Sequence, residues 1–249
     1  MDRRAMRIWL AWGLVVCGAC VLSAGPVAGP AAGAAALRVT LGGIAPGGVI
    51  PPRFAFCVPA KQGHVTTGPN QSPAISWSKG PAGTASYAII MVDPDVPSVF
   101  DTANTEGRTV SASLPRINFY HWVLVDIPPA MTRLPAGADS GGVTAHGKTP
   151  GPTRYGLRGI NDYTKGMAGD PTMAGDYGGY DGPCPPWNDE IVHHYHFVVY
   201  ALNVAHLGLS GKVTGPDAVK AIQGHVLAKG EAVGLYTLNP AVAKRLGIR

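Results

Sequence analysis

The sequence contains little charge and no run of basic residues. Asp, Glu, Lys and Arg make up 14% of its 249 residues, whereas 46% are hydrophobic, and this balance excludes an intrinsically disordered chain. The formal net charge is +5, but a nucleic-acid groove requires clustered cations, which are missing here. We therefore expect a globular protein without a nucleic-acid partner.

Short motifs of common enzymes are also missing. The sequence has no G-x-S-x-G nucleophile elbow and no H-E-x-x-H zinc motif, so neither a serine hydrolase nor a zinc protease is indicated. Residues 142–149 do match the phosphate-loop pattern G-x-x-x-x-G-K-T. That loop requires a helix after it, and Pro150 and Pro152 prevent one, so we reject nucleotide binding.

The N-terminus predicts an export signal. Arg3, Arg4 and Arg7 precede an uncharged, mostly apolar segment at 8–22, and small residues follow it. This segment is shorter than the roughly 20 residues of a membrane-spanning helix. We expect a signal peptide within 1–36, a single domain over 37–249, and an exported protein that is secreted, periplasmic or attached to the cell envelope.

The four cysteines leave two questions open. Lipidation at Cys17 or Cys20 would tether the protein to a membrane, although neither position fits a lipobox fully, and a retained N-terminal anchor is a further alternative. Only Cys57 and Cys184 lie outside the predicted signal. Cysteines of exported proteins can pair, so we predict a Cys57–Cys184 disulfide, with two buried free thiols as the alternative.

Short apolar runs rich in β-branched and aromatic residues predict core strands at 87–92, 121–127 and 196–202, with weaker candidates at 38–41, 54–58 and 75–77. Frequent glycine and proline between the runs favour an all-β sandwich over long helices. One helix is predicted from Pro216 through Val226, and a second at 241–246.

Two long stretches, 98–118 and 137–182, are too rich in glycine, proline and polar residues to predict regular structure. Both lie beside predicted core strands, so we expect them to fold over one end of the sandwich.

The histidines near 193–196 are a poor metal motif. On a strand, His194 and His196 face one side and His193 the other, so at most two of the three point together. No set of cysteine, histidine or aspartate at recognised zinc spacing completes a site. We predict neither a metal nor a cofactor.

Several polar and aromatic motifs follow one another along the chain. They are Asn70-Gln71-Ser72-Pro73, Asp93-Pro94-Asp95-Val96-Pro97-Ser98, Tyr120-His121-Trp122, Gly179-Tyr180-Asp181-Gly182-Pro183-Cys184-Pro185-Pro186 with His193-His194-Tyr195-His196-Phe197, and Gly224-His225-Val226-Leu227-Ala228. In this order they resemble the motifs of the phosphatidylethanolamine-binding proteins, bacterial Raf-kinase-inhibitor-like branch. The resemblance extends over about 41–237.

The resemblance implies a mainly β, two-sheet sandwich with a C-terminal helical segment and a small anion-binding pocket at one end. Carried over by position, the pocket residues would be Asp93, Asp95, Pro97, His121, Pro186, His193 and Tyr195. Two departures affect the pocket mouth: His194 stands where arginine is common, and the two long stretches exceed those of compact members.

The expected function is non-catalytic binding of a phosphate-containing small molecule or phospholipid headgroup. Histidine and tyrosine donate hydrogen bonds to phosphate oxygens, and a carboxylate pairs with an amine, so a zwitterion such as phosphoethanolamine suits the pocket. The alternatives are an interaction or inhibitor module acting on an extracytoplasmic protein such as a protease, and a hydrolase. No nucleophile with an adjacent base is evident from the sequence.

Overall fold

The computed structural model describes residues 35–247. The predicted signal segment, with Cys17 and Cys20, lies outside the described residues except for its last two positions. Ala35 and Ala36 pair in parallel with Ala228 and Lys229. Export, cleavage and lipidation stay predictions. Over 35–247, no helix has the length and apolar character needed to cross a bilayer.

The described chain is mainly β, as predicted. Its elements are β1 (Ala35–Ala36), β2 (Val39–Leu41), β3 (Cys57–Pro59), β4 (Val65–Thr67), β5 (Ile75–Trp77), β6 (Ser86–Pro97), β7 (Arg116–Ile127), β8 (Arg133–Leu134), β9 (Gly147–Lys148), β10 (Gly151–Thr153), β11 (Gly156–Arg158), α1 (Tyr163–Gly166), β12 (Asp176–Tyr177), β13 (His193–Leu202), α2 (Gly215–Ile222), β14 (Val226–Tyr236) and α3 (Pro240–Arg245).

A seven-stranded sheet organises the fold, in the order β1-β14-β13-β6-β7-β11-β10. A three-stranded sheet, β2-β5-β8, and two strand pairs, β9 with β12 and β3 with β4, complete the strands of the described residues. Side chains alternate across β6. Ile89 and Met91 therefore join the larger core with Ile75 of the small sheet, whereas Ile90 joins a second core with Ile222 of α2.

The prediction that the helix continues to Val226 is wrong. The helix ends at Ile222, Gly224 has a φ of +84°, and Val226 begins β14, the one long strand that the sequence analysis missed. Glycines interrupt its apolar pattern because other parts of the chain cross it. A Cβ on Gly234 would lie 2.6 Å from Ile50 Cγ1, so only glycine leaves room for that isoleucine.

The two long stretches differ in outcome. The first is shorter than expected, since β7 begins at Arg116 and leaves only 98–115 without a named strand or helix. The prediction that 137–182 is irregular is wrong, because it contains β9 to β12 and α1. These elements have two to four residues each, which is too short for a periodic sequence signal.

Cys57 and Cys184 form a disulfide, with their Cα atoms 4.7 Å apart. Of the two alternatives for this pair, the structure has the first. The bond ties β3 to the segment 183–186, which forms one side of the pocket described next.

Candidate functional site

A small pocket lies where β6, β7 and β13 approach the long segments. Its volume is about 180 Å³, below the roughly 300 to 1,000 Å³ of typical small-molecule sites. The lining residues are Asp93, Val96, Phe100, Asn104, Phe119, His121, Tyr163, Gly166, Met167, Cys184, Pro185, Pro186 and Tyr195. The pocket is therefore mostly apolar, with a few polar groups among them.

A β-bulge brings His121 into this pocket. Met91 pairs with Trp122 and Val92 with Tyr120, so His121 is the extra residue in β7. Without the bulge, alternation would send His121 and Trp122 to opposite faces. With it, Trp122 packs in the larger core while His121 lines the pocket beside that core.

Asp93 belongs to a buried chain of charges. His193 lies behind it, with Nδ1 donating to Asp93 Oδ2 at 2.7 Å and Nε2 to Asp189 Oδ2 at 3.2 Å. Arg116 closes the chain with two hydrogen bonds to Asp189, of 2.6 and 3.1 Å. With all four groups ionised, the two cations balance the two carboxylates.

The two carboxylates decide the protonation of His193. Burial alone would lower the pKa of His193, but the charge of Asp93 and the hydrogen bond to Asp189 raise it to about 9. Burial likewise disfavours ionised Asp189, yet hydrogen bonds from His193 and Arg116 lower the pKa of that carboxyl. His193 is therefore a cation at neutral pH.

His121 has the opposite electrostatic character. Burial lowers its pKa, and the nearby Asp93 charge opposes this only in part. Its Nδ1 lies 2.8 Å from the carbonyl oxygen of Asp181, which can only accept, so Nδ1 carries the proton. Nε2 has no partner among the described residues and is left free to contact a ligand.

The Tyr195 hydroxyl is the most unusual polar group of the pocket. It is fully buried and has no hydrogen-bond partner within residues 35–247. Burial and the neighbouring Asp93 charge raise the pKa of Tyr195 well above its usual value, so the hydroxyl keeps its proton. An unpaired buried donor costs about 1–3 kcal/mol, which a ligand or a water molecule would relieve.

A second buried carboxylate supports His121 from behind. Asp181 accepts hydrogen bonds from Asn70, Lys148 and Asn161, at 2.7 to 2.8 Å. The lysine of the phosphate-loop match thus neutralises Asp181 rather than binding a nucleotide. These contacts fix the backbone carbonyl that orients His121.

The structure places four of the seven expected site residues in the pocket wall: Asp93, His121, Pro186 and Tyr195. His193 is fully buried behind Asp93. Asp95 and Pro97 do not line the pocket. The pairing of β6 with β7 is irregular between Asp93 and Val96, and the Asp95 carboxylate turns to His194, accepting from its backbone N and from Nδ1, both at 2.8 Å.

The remaining wall residues escaped the sequence analysis. Phe119 lies two residues before His121, so strand alternation could have predicted that it faces the pocket. Others come from the long segments, among them Phe100, Asn104, Tyr163 and Met167. Only the expectation that these segments cover one end of the sandwich pointed to them. Within residues 35–247, no group of three or more His, Cys, Asp or Glu side chains is arranged to hold a metal ion.

Comparisons with known proteins show which family this chain resembles. Residues 42–237 match the family model described as phosphatidylethanolamine-binding protein. A UPF0098 protein of Methanothermobacter thermautotrophicus is 32% identical over 70% of this chain and 87% of its own length. YbcL of Escherichia coli, another UPF0098 protein, is 28% identical over 83% of this chain and 90% of its own.

Solved structures show the same similarity. The crystal structure of E. coli YbcL is described as a new member of the mammalian phosphatidylethanolamine-binding protein (PEBP) family. It matches 82% of this chain and 99% of the YbcL chain, with a TM-score of 0.57 at 25% identity. A putative phosphatidylethanolamine-binding homologue of Chlamydia trachomatis matches 81% of this chain and 97% of its own, with a TM-score of 0.53 at 25% identity.

Proposed function

Because the chain belongs to the phosphatidylethanolamine-binding protein family, we propose that it is a non-catalytic binding protein for small phosphate-containing groups, including lipid headgroups. The observation that carries this proposal is the unpartnered, fully buried hydroxyl of Tyr195 in the pocket wall. This hydroxyl makes no hydrogen bond of regular geometry within residues 35–247, although the Asp93 carboxylate lies close to it.

The remaining polar groups suit a phosphate ester. Nε2 of His121 accepts from a protonated phosphate oxygen, or donates to an ionised one after taking up a proton. Asp93 accepts from a protonated oxygen or from an amine. Since His193 and Arg116 compensate the two carboxylates of the charge chain, a zwitterion or monoanion fits better than a dianion.

The pocket wall argues against hydrolysis. It contains no serine, threonine or lysine, and its cysteine, Cys184, is bound in the disulfide. His121 could act as a base, but within residues 35–247 its Nε2 makes no hydrogen bond to a nucleophilic side chain. A directly activated water molecule would be the remaining route, and substrate screening addresses it.

Export is part of the same proposal. The N-terminal sequence has the pattern of a signal peptide, and a long-range disulfide suits an oxidising compartment. The second candidate function, an interaction or inhibitor module, is favoured by Val99 and Phe100, which are about half exposed at the start of the segment 98–115. If this protein captures a protease, and the protease and phosphate compete for binding to it, the second candidate function is favoured.

Calorimetric titration with phosphate, phosphoethanolamine and phosphocholine tests the proposal. The informative variants are Tyr195→Phe and His121→Ala, and Tyr200→Phe is the matched control because Tyr200 lies on the same strand but outside the pocket wall. We expect saturable binding that weakens about tenfold or more in the first two variants and not in the control. No binding by a folded wild type would refute the proposal.

A further inference from the structure

The acidic residues are unevenly distributed along the chain. Asp93 is the first acidic residue after Asp2, so the stretch between them contains no carboxylate side chain. Within the described residues, this stretch forms β1 to β5 and the beginning of β6. Its cations there are Arg38, Arg53, Lys61 and Lys79. One part of the fold therefore carries positive charge that no acidic residue of the same stretch offsets.

The sheet β2-β5-β8 has a polar outer face. Alternate residues of these strands point into the larger core, namely Leu41, Ile75, Trp77 and Leu134. Thr40 pairs with Ser76, and Ser76 with Arg133, so these exposed side chains form one row across the sheet. Arg38 and Ser78 form the next row, since the backbone N of Arg38 donates to Ser78 Oγ at 3.0 Å. These two rows are called the outer face below.

Both arginines of the outer face are exposed and unpaired. Among the described residues, the lysines and arginines that form ion pairs are Arg116, Lys148, Arg158 and Lys212. Asp139, which follows β8, is buried and pairs with Arg158. The guanidinium groups of Arg38 and Arg133 are therefore free to bind an external anion.

The acidic residue of the adjoining strand β14 points away from the outer face. Gly230 and Ala232 of β14 face the larger core, so Glu231 between them lies on the other side of the seven-stranded sheet. There its carboxylate pairs with Nδ1 of His196 at 2.6 Å. Glu231 thus does not compete for the two arginines.

A groove of about 490 Å³ lies on the outer face. Its wall includes Thr40, Ser76 and Arg133, with the small residues Gly42, Ala74 and Pro135 beside them. The volume is within the roughly 300 to 1,000 Å³ of typical small-molecule sites. The groove shares no wall residue with the pocket of Tyr195 and His121, so it is a separate site.

The residue types of the outer face narrow the choice of partner. None of the exposed large hydrophobic side chains of residues 35–247 lies on it, so it lacks both the apolar centre of a protein interface and an anchor for a bilayer. Trp77 is buried, which leaves these strands without an exposed aromatic ring on which a nucleobase could stack. Guanidinium groups bind acidic oxygens, and hydroxyls exchange hydrogen bonds with other hydroxyls.

The positions of the two arginines favour a polymer over a small anion. Arg38 and Arg133 are separated by two residue steps along the strands and by two strand spacings, which amounts to roughly 12 Å. A single phosphate cannot contact both of them. A chain that carries repeated acidic groups can.

We propose that the outer face binds an acidic polysaccharide. Acidic groups of the polymer pair with Arg38 and Arg133, and one sugar unit lies in the groove with its hydroxyls on Thr40 and Ser76. This is a second binding function, and it does not depend on the ligand of the pocket.

Binding of the full chain to polygalacturonate, dextran sulfate and uncharged dextran tests this assignment, with biolayer interferometry as the measurement. We expect both acidic polymers to bind and dextran not to bind. Their affinity should fall about tenfold or more from roughly 50 to 500 mM NaCl, because salt screens exposed charges.

Variants of equal charge separate the outer face from the overall positive charge. Arg38→Gln combined with Arg133→Gln should weaken binding about tenfold or more, because both partners of the acidic groups are lost. Arg108→Gln combined with Lys220→Gln is the matched control, since it removes the same charge from exposed positions elsewhere. The control should change the affinity by less than about threefold.

Ser76→Glu is a second, independent test. It places a carboxylate on the middle strand between the two arginines and should abolish binding to both acidic polymers. Because every substituted side chain is exposed, the thermal unfolding midpoints of all variants should match the wild type, which shows that any loss of binding is not a loss of folding.

The contrary results are distinct. Equal losses in the two double variants would assign the binding to overall charge and overturn the proposal. Equal binding to uncharged dextran, or tighter binding to a single-stranded oligonucleotide than to either acidic polymer, would also overturn it. If the folded protein binds neither acidic polymer, the outer face is not a binding surface for this class. The phosphate titrations of the pocket are a separate test, so failure of one proposal leaves the other standing.

Discussion

The pocket has two walls that are built differently. The inner wall consists of Asp93, His121 and Tyr195, which are buried on neighbouring strands of the seven-stranded sheet. The mouth carries Phe100 and Asn104 on the segment 98–115, and both are exposed. Strand pairing fixes the inner wall, whereas individual cross-links must fix the mouth. The difference suggests that binding chemistry is set by the sheet and ligand selectivity by the segments.

Asn188 is the main cross-link of the mouth. Its side-chain amide donates to the carbonyls of Thr102 at 2.8 Å and Arg108 at 3.0 Å, with a longer contact to Thr105 at 3.4 Å. Its Oδ1 accepts from the backbone N of Asn104. One buried side chain thus holds this segment in place by hydrogen bonds, as neighbouring strands hold β6.

The largest expected effect concerns the disulfide. Reducing it, or replacing both Cys57 and Cys184 by serine, should lower the free energy of unfolding by about 4–5 kcal/mol, since it closes a loop with a sequence separation of 127. Urea unfolding measures this. Hydrogen exchange should quicken first near 54–58 and 182–187 while β13 stays protected. Unchanged urea midpoints would contradict the expected stabilisation by this bond.

The next effect concerns Asp189, the carboxylate that lies between His193 and Arg116. Asp189→Leu removes the carboxylate that His193 and Arg116 share, and should cost about 3–5 kcal/mol, because buried His193 keeps only Asp93 and part-buried Arg116 loses its ion pair. Glu231→Leu is the control, since Glu231 of β14 pairs with His196 of β13 at the solvent-accessible surface, and such a pair is worth under ~1 kcal/mol. Similar losses in the two variants would contradict the buried charge chain.

The pH dependence of stability sharpens the picture of the inner wall. His193 has a pKa of about 9 in the folded state against about 6.5 when unfolded, so its stabilisation is complete below pH 6.5 and is lost as the pH rises through 9. The loss amounts to about 3 kcal/mol. Urea midpoints from pH 6 to 10 measure it, and His193→Gln should remove most of this slope. A wild-type curve that matches the variant would refute the charged state.

A smaller effect is expected at the mouth. Asn188→Ala should destabilise by about 1–3 kcal/mol, because the part-buried hydrogen bonds from this side chain to the carbonyls of Thr102 and Arg108 are lost. Limited proteolysis should then cut within 98–115 before any other described segment. Asn203→Ala, an exposed asparagine, serves as the control and should change stability by less than about 0.5 kcal/mol. Unaltered proteolysis of the first variant would leave the mouth held by other contacts.

The two walls also differ in how far the sequence could predict them. Asp93, His121 and Tyr195 lie at or next to the ends of the predicted core strands, and the family resemblance placed them together in one pocket. The positions of Asp95 and His193 could not be predicted in this way, because they depend on the irregular pairing between Asp93 and Val96 and on Asp189. Phe100 reaches the mouth through contacts distant in sequence, such as those of Asn188, which no local pattern encodes.

The last prediction concerns the protonation of His121 when an anionic ligand binds. Free His121 is neutral because burial lowers its pKa, and a bound anion should favour the imidazolium, whose Nε2 then donates to it. Affinity for dimethyl phosphate, whose charge does not change in this range, should rise as the pH falls from 7.5 to 5.5, by at most tenfold per pH unit. His121→Gln should lose this dependence.

Calorimetry in two buffers of different ionisation enthalpy measures the proton taken up on binding. Uptake by the wild type and none by His121→Gln would place the proton at this imidazole. His193 cannot supply the effect, since its pKa of about 9 keeps it charged throughout the range. A pH-independent affinity would mean that His121 takes up no proton on binding, and the anion would then be held by other groups of the inner wall, such as the Tyr195 hydroxyl.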